Sequence, residues 1–132
     1  MALKATFEIE GSNVEYDVIE CEYEFTQEID SNGRPSESPK GGLINITIVA
    51  PDDTDLIFHE WMRDKFASKD GVITFIVNNN HVDSTRCFGF RDAYCVGLSE
   101  NFNKETDSQM IMKLTISAGV IKFGDNCEFH LF

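Results

Sequence analysis

The side chains that could do chemistry in this chain are three histidines, four cysteines and two acidic runs. His59, His81 and His130 lie far apart, in a helix-like segment, a turn-like segment and near the chain end. A catalytic or metal-bound histidine needs partners within reach. No HExxH, GxSxG, P-loop or GxGxxG pattern accompanies them. His81 in "NNNHVD" therefore reads as a turn residue in water, and His59 as a surface or boundary residue. Cys21, Cys87, Cys95 and Cys127 form no CxxC pair, whereas zinc sites usually show close pairs. They read as small core thiols without a disulfide. The acids of "DDTD" at 52–55 lack the glycine and distal glutamate of a calcium loop, and read as helix caps. Glu20, Glu22 and Glu24 recur every second residue, so they share one face of a strand as a solvated acidic stripe. "NIT" at 45–47 is a glycosylation pattern inside a strand and carries no weight. The expectation is a protein without catalytic residues, metal or cofactor.

The elements that position these residues are mostly strands. "ALKATFEIE" alternates, with Leu3, Ala5, Phe7 and Ile9 on one face. The next strand runs from Val14 to about Gln27. Its apolar phase slips at Val18-Ile19, which predicts a β-bulge or a passage between sheets. "LINITIVA" places Ile44, Ile46 and Ile48 in register. "PDDTDLIFHEWMRDKF" is the one helical pattern, pairing Ile57 with Trp61 and Phe58 with Met62. "SKDG" at 68–71 reads as its end. "VITFIVNN" is a strand. A long strand from about Thr85 to Ser99 follows, with Phe88, Phe90, Tyr94, Val96 and Leu98 expected on one side. "ENFNKETDSQ" reads as a polar loop. "MIMKLTISAGVIKF" reads as one strand with Met110, Met112, Leu114 and Ile116 in phase, and a short strand near "CEFHLF" closes the chain. About eight antiparallel strands and one helix predict a closed barrel or tight sandwich with a flanking helix.

The length of 132 residues suits a single domain, 1–132. The formal net charge of −12, from 23 acids and 11 bases, argues against nucleic acid and anionic membrane as partners. Residues 5 to 33 hold nine acids and no Lys or Arg. "MALKATFEIE" has no basic n-region before an apolar run, and no stretch has the length of a membrane span. The chain reads as made and folded in the cytosol.

One segment is too long for its place. "IDSNGRPSESPKGG" (29–42) lies between two strands and holds three glycines, two prolines and three serines. A hairpin turn needs only about two to five residues. Loops of this length are either disordered or functional.

Three stretches together, "NGRPSESPKGG", "EWM" and "DAYCVGLSENFN", carry a resemblance across essentially the whole chain. The sequence resembles the tube protein of bacterial type VI secretion systems, the haemolysin-coregulated protein (Hcp/TssD) family. It is most similar to the divergent branch in which "GRPS", a following "GG" and "DAYCV…SENF" recur. The resemblance implies a mainly β fold, a two-sheet antiparallel β-barrel with one flanking α-helix, like phage tail tubes. It implies a structural subunit, not an enzyme, that forms hexameric rings stacking into a tube. The implied partners are further copies of itself, a contractile sheath, a spike protein, a baseplate and effectors carried in the lumen. The implied course is from the bacterial cytoplasm to the outside through the type VI apparatus.

In this family the loop after the second strand contacts neighbouring subunits. The resemblance thus assigns Asp30, Ser31, Asn32, Gly33, Arg34, Pro35, Ser36, Pro39, Lys40, Gly41 and Gly42, within an extended loop at about 28–42, to assembly. Arg34, the first base after nine acids, is expected to anchor on an acidic strand face of a neighbour. Glu20, Glu22 and Glu24 are candidates for a polar lumen or partner face. Six copies at −12 would carry a formal −72, so rings are expected to stack weakly without a template. The other reading open at this point is a monomeric ligand-binding β-barrel with the 28–42 loop as a lid.

Overall fold

A computed structural model describes residues 2–25, 31–33, 42–52, 54–79, 82–101 and 110–124. Seven strands and one helix follow in the order β1 (Ala2–Ile9), β2 (Tyr16–Phe25), β3 (Gly42–Val49), α1 (Ile57–Arg63), β4 (Lys69–Asn79), β5 (Val82–Asn101), β6 (Ile111–Ser117) and β7 (Val120–Gly124). Every strand pair is antiparallel. The pairing runs β4-β1-β2-β3-β6-β5, and β4 also pairs with β5, so it returns to its start. β7 adds to the outside of that circuit, along β5. The mainly β architecture with one helix agrees with the sequence reading.

Two sheets make up the circuit. The first holds β1, β4, β7, the start of β2 and residues 82–93 of β5. The second holds the rest of β2, β3, β6 and residues 94–101 of β5. β2 crosses from one to the other where its register shifts between Val18 and Glu20. This is the bulge that the apolar phase slip predicts, since an extra residue turns every later side chain to the other face. β5 crosses at Asp92, which has φ 53, and its register shifts again between Cys95 and Gly97.

The interior is one cluster of buried side chains, including Phe7, Ile9, Ile44, Ile46, Ile48, Phe58, Trp61 and Ile73. Each buried side chain of this kind contributes about 1.5–3 kcal/mol. Phe58 of α1 lies 4.9 Å from the Tyr16 ring and 5.8 Å from Phe7. Trp61 donates its indole N–H to the Ala67 carbonyl at 3.0 Å, which folds the following loop back on the helix. At another point of the barrel Tyr23, Phe75 and Phe123 surround Phe88 at centroid distances of 4.8 to 6.1 Å. Among the described residues the interior holds this one cluster of buried side chains.

Several boundaries differ from expectation. The helix spans only Ile57–Arg63, because Asp52 and Asp55 first close a turn, Asp55 N–H to Asp52 O at 2.9 Å. The N-cap position is Leu56, which makes no side-chain cap, and Asp55, one residue before it, accepts from Ile57 N through Oδ1 at 3.2 Å. Lys69 and Asp70 extend β4 instead of turning. Lys69 Nζ donates to the Glu10 carbonyl and Asp70 N to Glu10 Oε1, so the residue that follows β1 holds them in the sheet. The segment 110–124 breaks into β6 and β7 at Ala118-Gly119, where Gly119 N donates to Arg91 O. Met110 is 40% exposed, just ahead of β6, and Val14 is exposed ahead of β2. The strand expected near "CEFHLF" lies outside the described residues.

Two glycines are needed where they stand. Gly11 turns β1 toward β2 with φ 91, a conformation that L side chains rarely adopt. At Gly71 a Cβ would sit 2.4 Å from the Phe90 ring, so the ring lies directly on the β4 backbone.

Candidate assembly surface

The second sheet presents an outward face built by register. Glu24 pairs with Leu43, which pairs with Ser117, which pairs with Tyr94. The next row is Glu22, Asn45, Thr115 and Gly97, and the one after it Glu20, Thr47, Lys113 and Ser99. Glu20, Glu22 and Glu24 are all exposed and share this face, as their spacing requires. Thr115 Oγ1 donates to Asn45 Oδ1 at 3.0 Å across the strands. Gly97 leaves a shallow depression of about 370 Å³ over the middle rows. The face is wide and mainly polar, with Leu43 and Tyr94 as exposed apolar side chains in its first row.

Both lateral edges of this sheet lack a strand partner among the described residues. β1 reaches β2 only at Tyr16 and Asp17, so residues 18–25 pair with β3 alone. β4 follows β5 only as far as Ala93, so residues 94–101 pair with β6 alone. The two edges are each eight residues long. Such edges are templates for another strand unless something covers them.

The β5 edge is apolar where the sequence reading placed it inside. Tyr94 and Val96 are 41% and 52% exposed, while Ala93 and Cys95 are buried. The turn of backbone at Asp92 reverses the phase, so Phe88 and Phe90 face the core but Tyr94 and Val96 do not. The end of α1 lies beside them. Met62, Asp64, Lys65, Tyr94, Cys95 and Val96 line a cleft of about 430 Å³. Phe66 is 80% exposed, held out by its N–H donating to Asp64 Oδ1 at 3.0 Å, with Lys65 Nζ 5.2 Å from its ring. Sequence reasoning missed this corner. The signal available was the charged pair Arg91-Asp92 interrupting an apolar strand.

The expected assembly loop is described only in part. Ser31, Asn32 and Gly33 form an exposed turn, with Gly33 at φ 79. Gly42, read as the last residue of the loop, opens β3 opposite Phe25 and accepts from Ala118 N through its carbonyl at 2.9 Å. Asp30, Arg34, Pro35, Ser36, Pro39, Lys40 and Gly41 lie outside the described residues, as do His81, Cys127 and His130.

His59 Nε2 meets Glu100 Oε1 at 2.5 Å, tying α1 to the β5 edge; its Nδ1 is buried without a partner. Tyr16 donates to Asp55 Oδ2 at 2.5 Å, and burial followed by that bond pushes its pKa up to about 12. Cys21 and Cys95 are free thiols whose pKa burial raises, Cys21 to about 11, which disfavours the nucleophilic thiolate. Cys87 is disulfide-bonded, which corrects the reading of four core thiols without a disulfide. No set of three or more metal-ligating side chains converges among the described residues. Nor is any described helix long and apolar enough to cross a membrane.

Comparison with known proteins places this fold in a family. The family model described as Hemolysin coregulated protein Hcp (TssD) matches residues 1–130. The chain belongs to that family. Among solved structures, Hcp1 from Flavobacterium johnsoniae is 28% identical, with a TM-score of 0.68 over 92% of this chain and 95% of that one. Hcp1 from Salmonella typhimurium shares the fold at 12% identity and TM-score 0.70, over 98% of this chain and 91% of that one. A chain of an extracellular contractile injection system, the PVC sheath-tube complex in its extended state, also shares it. That match has 12% identity and TM-score 0.56, over 92% of this chain and 88% of that one. A search of curated protein sequences returns no match. The family is one of structural tube subunits of contractile secretion systems, not of enzymes.

Proposed function

We propose that copies of this chain close into hexameric rings, and that the rings stack into the inner tube of a type VI secretion system. The second sheet carries this reading. It is a four-stranded sheet with a largely polar outer face and two edges of equal length that lack a strand partner among the described residues. In it β2 and β5 run antiparallel to each other, because three antiparallel steps separate them. The β2 edge of one copy set beside the β5 edge of the next therefore continues the antiparallel alternation without a break. A ring built this way leaves no open edge in the sheet.

On this reading the face with Glu20, Glu22, Glu24, Asn45 and Thr115 lines the lumen, where secreted effectors would ride. The loop at 28–42 reaches neighbouring copies, with Arg34 anchoring on an acidic face. A contractile sheath drives the tube, a spike caps it and a baseplate starts it, taking it from the bacterial cytoplasm to the outside. Family membership and the fold shared with a sheath-tube complex support these roles.

The test is light scattering after size exclusion, with negative-stain images of the peak. Rings of six subunits with a central hole are expected. A chain that stays at its 14.9 kDa monomer mass at high concentration and in high salt would overturn the reading.

A further inference from the structure

The outward face of the first sheet is covered at a place where its neighbours do not account for the cover. Phe7, Ile73 and Phe88 share one row across β1, β4 and β5 and are buried in the core. The flanking rows, Val72 with Gly89 on one side and Thr74, Cys87 and Gly124 on the other, therefore face outward. Yet Cys87 is 0% exposed and Val72 only 7%. The elements packed most closely on β5 are its strand neighbours and α1. Of these, α1 sends Phe58 and Trp61 into the core and ends beside Tyr94 and Val96. Something else lies over Cys87. Cys87 is disulfide-bonded, while Cys21 and Cys95 are free. Of the four cysteines that leaves Cys127. Gly124 pairs with Cys87, and Cys127 follows Gly124 by three residues. A four-residue turn brings its ends within about 7 Å, close to the Cα separation a disulfide accepts, and "GDN" at 124–126 is turn chemistry. In "CEFHLF" Cys127, Phe129 and Leu131 recur every second residue, so an extended backbone turns all three to one side.

We propose that residues 125–132 lie along the outward face of the first sheet over Val72 and Cys87, latched by a Cys87–Cys127 disulfide that is open in a reducing cytosol and closes once the chain is outside. The change of compartment rests on the tube reading above; the pairing and the cover do not. Thiols stay reduced in the cytosol, and disulfides persist in oxidising surroundings. Closure needs a two-electron oxidant, and a small-molecule disulfide serves. One cysteine thiolate attacks it, forming a mixed disulfide and expelling a thiolate. The second cysteine thiolate attacks the mixed disulfide, forming the Cys87–Cys127 bond and expelling the other half. The two cysteines are oxidised, the small disulfide is reduced to two thiols, and the cysteine protons end on those thiols. The subunit is thus assembled with the latch open and stiffened after delivery.

The test compares the purified chain in dithiothreitol and in oxidised glutathione. The oxidised form should be about 2 Da lighter by intact mass, and alkylation with peptide mapping should join Cys87 to Cys127 and leave Cys21 and Cys95 labelled. Reduction should lower the thermal midpoint by about 10 °C, since the bond closes a loop of roughly 40 residues. It should also speed chymotrypsin cleavage at Phe129 about tenfold. Cys127→Ser should melt like reduced wild type in both conditions, whereas Cys21→Ser should keep the full shift. Chains alkylated inside cells should carry Cys87 as a thiol. A map that joins Cys87 to any other cysteine, of the same or a second copy, overturns the pairing. Melting and cleavage that do not change on reduction overturn the cover. A disulfide already closed inside cells overturns the switch. Light scattering on both forms reads the tube reading separately: no rings in either form overturns that reading and the export step with it, but not the pairing.

Discussion

β5 is one strand with two lives. Residues 82–93 run between β4 and β7. There Cys87, Phe88, Gly89 and Phe90 are all buried, so both faces of the strand are covered. Residues 94–101 have β6 on one side only, and there Tyr94 and Val96 stand in solvent. Both halves are rich in aromatic and β-branched residues, so composition does not separate them. Partners do. In the first half an apolar side chain is part of the core; in the second it marks a surface awaiting a cover.

The difference should be largest in stability. Phe90→Ala empties a position enclosed by Phe7 and the Gly71 backbone and should cost about 3–5 kcal/mol, whereas Val96→Ala should stay within about 0.5 kcal/mol. Urea titration of the monomer reads both; a large loss at Val96 would mean that the second half is part of the core after all. Next comes Gly71→Ala, which drives a methyl into the Phe90 ring and should cost about 1–3 kcal/mol, with a lowered thermal midpoint. Then comes the crossing point between the halves. Asp92 is the one described non-glycine residue with positive φ. Asp92→Val should cost about 1–2 kcal/mol, while Asp92→Gly should leave stability close to wild type, by the same titration.

The smallest effect lies on the outward face of the first sheet. The Glu8 carboxyl is raised above its ordinary value by burial and by the hydrogen-bonded Glu15 carboxyl beside it. A raised carboxyl means that the folded state binds the proton more tightly. Its favourable contribution is full at acid pH and is lost as pH rises through the folded value. Glu8→Gln should therefore be slightly more stable than wild type at neutral pH, with the gap closing on acidification. A gap that stays constant with pH would count against a raised Glu8 carboxyl.

The sequence reveals elements whose period is undisturbed. Phe7 and Ile9 on β1, and Ile44, Ile46 and Ile48 on β3, are buried as alternation requires. The slip at Val18-Ile19 was legible because two apolar residues adjoin there, which no regular strand face can hold. The slip in β5 was not. Phe88, Phe90, Tyr94 and Val96 keep an unbroken spacing of even numbers, and only the left-handed backbone at Asp92 reveals the reversal. Lys69 and Asp70 carry turn chemistry in their types, yet bonds to Glu10, 59 and 60 residues away, hold them extended. Family resemblance pointed to the loop at 28–42 and to the glutamate stripe. The corner of Met62, Phe66, Tyr94 and Val96 needed coordinates, since it joins a helix end to a strand edge far away in sequence.

The four-strand count of the second sheet has a metric consequence. Strands lie about 4.8 Å apart, so one copy spans roughly 19 Å of wall, and a wall of six copies would measure about 115 Å around. Its backbone-to-backbone width would be about 37 Å before strand tilt widens it. A folded chain of about 100 residues has a radius of gyration of about 13 Å, which puts it near the upper limit of what that circle admits. The bore of such a ring would be set by strands per copy and copies per turn, independently of how the subunit packs its own interior. One added strand per copy would widen it by about 9 Å.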